Sequence, residues 1–484
     1  MEGTMSKKNL CMLVSWGVVA AIAFFAACTP EDTAGGFGEE TNALAGILVN
    51  EKGEPQANVR VFARHTKANI SDLVDTTDSE GKFEFTPVRQ GAYGLSATKG
   101  KASMYKRVNY YGQNVNVTAR LVSSTDISGK VYLRDDTVAT DVYVYIPGSP
   151  WEAKTSDKGK FSFKKVPEGT YPVLVKSPDP VRFVDVFYVG TFEDGKADFN
   201  GPYPESLIDA VMAKVAPDSS DVVADSSEES EEADVHLVNS EASKNMLLPL
   251  SPEYGTLCWW PLDYLSEGFA GTKVSSDARG HTDGVVFYGN PELADGMSRN
   301  AIELKGANQY GVVELDSDHE ILKGATEITL EAWINVLKLP SDSAYRRNIV
   351  GQVGFGSSGD QDVFSLSLVR GECGTKKPKL AFFIASGSEE DSLGCENAVL
   401  SDVVETNKWM FVSVVWNGPT LSMYVNGQLV NSSKTSVKKI NPSSESIIFG
   451  KEKLNIQLDD VRLSNTAINP VDVLYRYYYK GGAL

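Results

Sequence analysis

The chain has 484 residues, with 46 basic and 64 acidic side chains, a formal net charge of −18 and 10% aromatic residues. A surface of that sign repels polyanions, which argues against nucleic acid as a partner and suits an extracellular protein or a binder of cations and neutral glycans. Four dispersed histidines, His65, His236, His281 and His319, show no His-Glu-x-x-His spacing and leave little material for a zinc enzyme.

In chain order, Lys7 and Lys8 precede the apolar run Leu10–Ala27, after which Glu31 and Asp32 turn the charge acidic. A short basic region, an apolar core and small residues make an export signal. The run is just long enough to span a membrane, but no basic cluster follows it and it ends in Phe25-Ala26-Ala27-Cys28. That tetrapeptide resembles the lipobox of bacterial lipoproteins, with Phe25 in place of the usual aliphatic residue. The resemblance implies cleavage before Cys28, fatty acylation (palmitate) of Cys28, and a lipid-anchored lipoprotein of the bacterial outer membrane. A single acyl chain anchors reversibly and several anchor stably. The other reading is an ordinary secretory signal with an incidental cysteine. Translation could also start at Met5. Residues 1–27 are thus assigned to the signal peptide and 28–44 to a flexible tether.

From Ala45 onward the chain alternates β-like runs with turns and contains an internal repeat. Gly46, Val59 and Val61 recur as Gly129, Val142 and Val144; Gly81, Phe83, Phe85, Gly91 and Tyr93 recur as Gly159, Phe161, Phe163, Gly169 and Tyr171. Phenylalanines at i and i+2 share one face of a strand, and the glycines permit the flanking turns. These are core and turn residues of two small antiparallel sandwiches. Together with Asn50-Glu51-Lys52-Gly53-Glu54-Pro55, the pattern resembles the carboxypeptidase regulatory-like family, which implies a transthyretin-like (Ig-like) β-sandwich used as a spacer or accessory module. The first copy covers 45–122 and the second 125–200, its end the less defined. Residues 181–189 could add a strand and 204–215 a short amphipathic helix. Residues 218–234 carry eight acidic and no basic side chains, so 201–247 reads as a short helix and an acidic linker.

Residues 248–484 hold β-rich segments at near-regular spacing. In 328–334, Ile328, Leu330, Ala332 and Ile334 alternate onto one side; in 409–416 both faces are largely apolar, as in a strand covered on both sides. Asn426-Gly427 marks a hairpin turn. Cys373 and Cys395 flank the apolar run 379–386 and are expected to form a disulfide, whereas Cys258 reads as a buried free thiol. The segments at 258–289, 330–334, 408–430 and 458–478 resemble the laminin-G-like, concanavalin A-like lectin/glucanase superfamily. This implies a jelly-roll sandwich, and the whole chain an all-β protein.

That superfamily includes glycan binders, adhesion modules and glycoside hydrolases, so fold supports only an analogy. The hydrolase signature Glu-x-Asp-x-x-Glu is missing, and the adjacent Asp459 and Asp460 would point to opposite faces of a regular strand. The chain therefore reads as a non-enzymatic module for cell adhesion or for binding carbohydrate or another extracellular polymer. A structural envelope scaffold with a protein partner, and a hydrolase, are the alternatives. The candidate ligand-binding aromatics are Trp260, Tyr288, Tyr345 and Tyr424; Trp259, Trp333, Trp409 and Trp416 are assigned to the core. The resemblance to laminin-G-like domains also implies a calcium site, for which Asp263, Asp277 and Asp459 are the candidates.

Overall fold

The computed structural model describes residues 43–479, apart from 68–69, 87, 134–136, 217–244, 298, 307, 316–319, 355–360, 389–390, 444 and 452. The signal sequence, Cys28, most of the tether and the acidic segment 218–234 lie outside the described residues. Among the described residues no helix is long and apolar enough to cross a membrane.

The first sandwich packs a three-stranded sheet, Lys82–Phe85, Leu44–Val49 and Val115–Arg120, against a larger one carrying Leu73–Thr76, Arg60–His65, Gly91–Lys99 and Ala102–Tyr110. The second packs Glu152–Lys154, Tyr143–Tyr145, Gly169–Lys176, Val186–Glu193 and Lys196–Pro204 against Lys160–Pro167 and its neighbour Val122–Tyr132. Val122–Tyr132 belongs to both sandwiches. Its start pairs with Ala102 and Ser103, and the rest with Lys160–Pro167. A continuous strand thus fuses the two repeats. Tyr105 of the first adds to the junction, donating to Pro147 O at 2.6 Å and packing edge-on against Trp151 and Tyr171.

The repeated residues have matching duties. Gly46 pairs with Phe83, and a Cβ at Gly46 would lie 2.6 Å from the Phe83 ring and 2.4 Å from Val117 O. Gly129 pairs with Phe161, and its Cβ would lie 2.6 Å from that ring. The equivalence extends to residues that the sequence pattern did not single out. Thr77 Oγ1 donates to Gln56 O and accepts from Val59 N; Thr155 Oγ1 does the same with Ala139 O and Val142 N. Gly46→Ala should therefore overpack a site walled by backbone and lower unfolding free energy by about 1–3 kcal/mol, readable by urea denaturation. An unchanged midpoint would show that the ring can move aside.

The second sandwich continues past residue 200. The helix Ile208–Val215 packs on Phe187, Val189 and Tyr203. Asn245–Leu247 then pairs in parallel with Lys130–Tyr132, and Met246, Leu248 and Leu250 enter the same core. A boundary at 248 therefore cuts through packed structure. Charge and composition mark 218–234 as polar, but they carry no information on where the chain re-enters the sheet.

The C-terminal domain is a sandwich of an eight-stranded and a nine-stranded antiparallel sheet. The Ile328–Lys338 strand lies between Trp409–Trp416 and Leu454–Ser464, and Ile328, Leu330, Ala332 and Ile334 enter the shared core as expected. The outer face of that sheet, with Trp333, Phe411, Val415 and Tyr424, is covered by the helix Pro470–Tyr479. Asn469 caps this helix, its Oδ1 accepting from Val471 N and Asp472 N, while Asp472 Oδ2 accepts from Asn469 N. This reciprocal cap, followed by proline at the first helical position, is the local reason the helix starts there. The other carboxylate oxygen of Asp472, which is fully buried, accepts from Leu250 N at 2.7 Å. Leu474 and Tyr478 meanwhile pack into the second sandwich beside Leu174, Tyr203 and Val211.

Candidate recognition face of the C-terminal domain

The nine-stranded sheet begins at an edge hairpin, Ser266–Glu267 with Lys273–Ser275, followed by Val285–Tyr288, Tyr310–Val313 and Ile447–Phe449. Strand alternation sends Val285, Phe287 and Val313 into the core and turns Val274, Val286, Tyr288, Tyr310 and Val312 outward. Tyr288 and Tyr310 are directly opposite and stack at 5.1 Å between centroids, both half-buried. Beside them the hairpin tip carries Phe269, 93% exposed, with Ala270 and Gly271 in the left-handed region. Asn290 and Asn308 are exposed at the same end, and Gln309 Nε2 donates to Asn290 O at 3.0 Å. Apolar rings next to amide groups can cover the flat face of a sugar ring while hydrogen-bonding its hydroxyls.

The far half of this sheet surface is roofed. Cys373 and Cys395 form the expected disulfide, and Cys373, Leu393 and Leu400 pack over Val369, Ala381 and Phe383. The Arg346 guanidinium lies 3.8 Å from the Phe383 ring centre and holds the roof by donating to Glu372 and Leu393 O. Cys258 is a buried free thiol, and burial pushes its pKa up.

Of the four aromatic candidates, Tyr288 alone reaches this face. Trp260 is fully buried against Phe449, and Trp259, assigned to the core, is half-buried on the opposite side. The error is one of phase. Cys258, Trp260 and Leu262 share the inward face, so Trp259 points outward, where its Nε1 donates to Asp460 and Arg462 stacks on its ring. Tyr345 is buried in the core, and Tyr424 is buried beneath the terminal helix. Trp333 and Trp416 are core residues as assigned, and Trp409 is partly buried at the edge of the helix-covered cluster. Tyr310, Phe269 and Asn308 were missed. The alternation of Tyr310-Gly-Val312 was readable, but its partner strand was not.

The three aspartates do not act alike. Asp277 is buried, and its oxygens accept from Trp259 N, Arg279 N, His281 N, Thr282 N and Thr282 Oγ1. A carboxylate has about four lone-pair sites, so Asp277 is committed to its loop and does not fit a cation. Asp459 is 2% exposed and accepts from Met297 N at 2.7 Å. Burial raises its pKa to about 7, with Asp460 and Asp263 pushing the same way. Burial likewise raises Asp263, which Arg299 partly offsets. Asp263 and Asp459 therefore offer hard oxygen donors in a site where a cation would relieve the unfavourable charge. Among the described residues no group of three or more His, Cys, Asp or Glu side chains is placed to hold a metal ion.

Asp460 breaks the regular strand, with φ +47° at a register shift. Its carboxylate goes to Trp259 and Arg462 and that of Asp459 to Met297, so the two carboxylates serve separate partners.

Residues 306–474 match the model of the concanavalin A-like lectin/glucanases superfamily. The C-terminal domain is a concanavalin A-like, laminin-G-type lectin domain. The chain as a whole is all-β, with further β-sandwich sheets preceding this jelly roll.

Solved structures similar to the chain include domain 4 of AbnA, a GH43 extracellular arabinanase from Geobacillus stearothermophilus, in complex with arabinotriose. It is 14% identical, with 45% of this chain and 96% of that one covered and a TM-score of 0.33. Another is a botulinum neurotoxin type C structure, described as entering cells through interaction with two ganglioside molecules. It is 16% identical, with 46% and 51% covered and a TM-score of 0.35. A third, the binding domain of botulinum neurotoxin DC in complex with SialylT, is 16% identical, with 46% and 51% covered and a TM-score of 0.34. The match thus spans about half the length of the toxin chains. No curated protein matches the chain.

Proposed function

We propose that this protein binds a glycan or another extracellular polymer without catalysis, through the Tyr288–Tyr310 end of its lectin domain. The observation that carries this reading is the stacked tyrosine pair beside the exposed Phe269 on the unroofed half of the sheet. Of the adjacent Asp459 and Asp460, the second is paired with Arg462 and the first accepts from Met297 N, so the two do not work as a pair. The test is a glycan and plant-polysaccharide array with the full chain, since the terminal helix packs on the second sandwich, run beside a reducing-sugar release assay. Retention without released sugar is expected. Tyr288→Ala with Tyr310→Ala should weaken it at least tenfold, equivalent to about 1.4 kcal/mol. Released reducing sugar would make the protein an enzyme.

In the same reading the protein is a lipoprotein held at the outer membrane through Cys28, with two carboxypeptidase regulatory-like, transthyretin-like sandwiches as a fused spacer. The basic and apolar N-terminus with its Phe-Ala-Ala-Cys ending supports the anchor. The matched duties of Gly46 with Gly129 and of Thr77 with Thr155 support the paired modules. Cells fed a fatty-acid analogue should label the wild type and not Cys28→Ser; an unlabelled wild type removes the anchor. Calcium is proposed at Asp263 and Asp459 without Asp277, because Asp459 is buried, Asp263 is half-buried with Arg299 only at 4.0 Å, and burial raises the pKa of both.

A further inference from the structure

Some lysines of this acidic protein sit beside carboxylates, as in Lys82–Glu80, Lys164–Asp126, Lys273–Glu267 and Lys408–Glu405, whereas Lys52, Lys99 and Lys101 do not. They line a groove of about 400 Å³ with Asn50, Gln56 and Ser123, and none of the three makes a salt bridge among the described residues. The volume is within the roughly 300–1,000 Å³ usual for small-molecule sites. Glu51 is the carboxylate in the groove wall, and it is turned onto Ser123, accepting from its backbone N at 3.0 Å.

The groove lies where the two sandwiches join. Asn50–Gln56 is a turn of the first repeat, Lys99–Lys101 is its hairpin, and Ser123 opens the shared strand. The second repeat places a further ammonium group next to the Lys99–Lys101 hairpin, outside the groove lining. Lys165, in the left-handed region at a bulge, is held by Asp126 through its backbone N and extends Nζ to Gly100 O at 3.1 Å. Arg120 donates to Glu51 O nearby. Three ammonium groups without a salt-bridge partner provide charge attraction, Lys99 also donating to Gln56 Oε1 at 2.9 Å; with the Ser123 hydroxyl they can donate hydrogen bonds to carboxylate and hydroxyl groups, while the amides of Asn50 and Gln56 are committed to the turn.

We propose that this junction groove is a second binding site, separate from the lectin face, for a carboxylate-bearing oligosaccharide of the uronate class. Against a net charge of −18, a local excess of positive charge would select the anionic sugar over a neutral one and make binding sensitive to salt.

The test is calorimetry of the full chain with a galacturonate trimer, maltotriose and inorganic phosphate at low and moderate salt. The uronate trimer is expected to bind, to weaken with salt, and to lose at least tenfold in affinity when Lys52, Lys99 and Lys101 are all changed to Gln. Lys408→Gln and the Tyr288→Ala, Tyr310→Ala variant should leave its affinity unchanged. An unchanged affinity in the triple variant, equal binding of maltotriose, binding of phosphate alone, or no heat from the uronate would each overturn the proposal. The lysines are exposed, so a matching melting temperature for the triple variant shows that lost binding is not lost folding.

Discussion

Arg476→Met should cost about 3–5 kcal/mol of stability, because it strands a buried carboxylate. Glu331 is on the outer face of the eight-stranded sheet and Arg476 on the terminal helix; both are almost completely excluded from water. The guanidinium donates to Glu331 Oε2 and is also within reach of Ser251 O at 3.4 Å. Glu331 Oε1 already has no hydrogen-bond partner. Removing the cation would leave the whole charge in a low-dielectric layer between the helix and the sheet. The double change Glu331→Met with Arg476→Met removes both charges at similar volume and should return most of the loss, since such pairs are often replaced at no net cost. Urea denaturation of the single and double variants checks this. A single variant within about 1 kcal/mol of wild type would mean that water reaches Glu331 or that the helix lifts away. The same contact bears on architecture. With Asp472 bonded to Leu250 and Tyr478 packed on Tyr203, the helix joins the lectin domain to the second sandwich, so the single variant should also loosen that junction.

Stability should fall as pH rises from about 4 to about 7, and calcium should restore it above that range. The responsible group is Asp459. Its carboxyl ordinarily ionises at 3.8, and in the fold its pKa is raised to about 7. Between those values the folded state holds a proton that the unfolded chain has lost, so raising the pH favours unfolding. Below about 4 both states are protonated and the penalty is absent; above about 7 it is complete, at most about 4 kcal/mol at 1.36 kcal/mol per pKa unit. Asp263 is displaced in the same direction. The calcium proposed at this site would bind the ionised form, so its stabilising effect should be large at pH 8 and small at pH 5. Melting curves across pH, with calcium and with chelator, should show this for the wild type. Asp459→Asn, which can still accept from Met297 N, should flatten both the pH slope and the calcium response. Equal slopes in wild type and variant would remove Asp459 as the origin. Calcium stabilisation that persists in the variant would place the ion elsewhere.

The legible parts of the fold were those written in local periodicity. Gly46, Phe83 and Phe85 and their copies at 129, 161 and 163 announced two sandwiches because glycine and alternating phenylalanines constrain a strand and its neighbour within a few residues. The alternation at 328–334 and 409–416 announced a central strand pair covered on both sides, and Cys373 and Cys395 announced their own pairing. One short stretch was read in the wrong phase. Trp259 and Trp260 are adjacent and equally aromatic, and only pairing with Leu454–Ser464 decides which turns inward.

The sequence by itself thus determined the all-β character, the repeat, the disulfide and the lectin-like strands, because each rests on side chains close together along the chain. The tertiary structure decided what covers each surface. The cap at Asn469–Asp472 was readable in principle, but that its helix buries Tyr424 and reaches Leu250, 222 residues before Asp472, depends on tertiary contacts between distant parts of the chain. Tyr288 and Tyr310 form a half-buried pair on the outer face, whereas Tyr345 and Tyr424 are core, because strand order and layering set exposure and neither is encoded in the spacing of the tyrosines. Lys52, Lys99 and Lys101 are likewise separated in sequence; the fold of the first sandwich, at the start of the shared strand Val122–Tyr132, brings them to one groove.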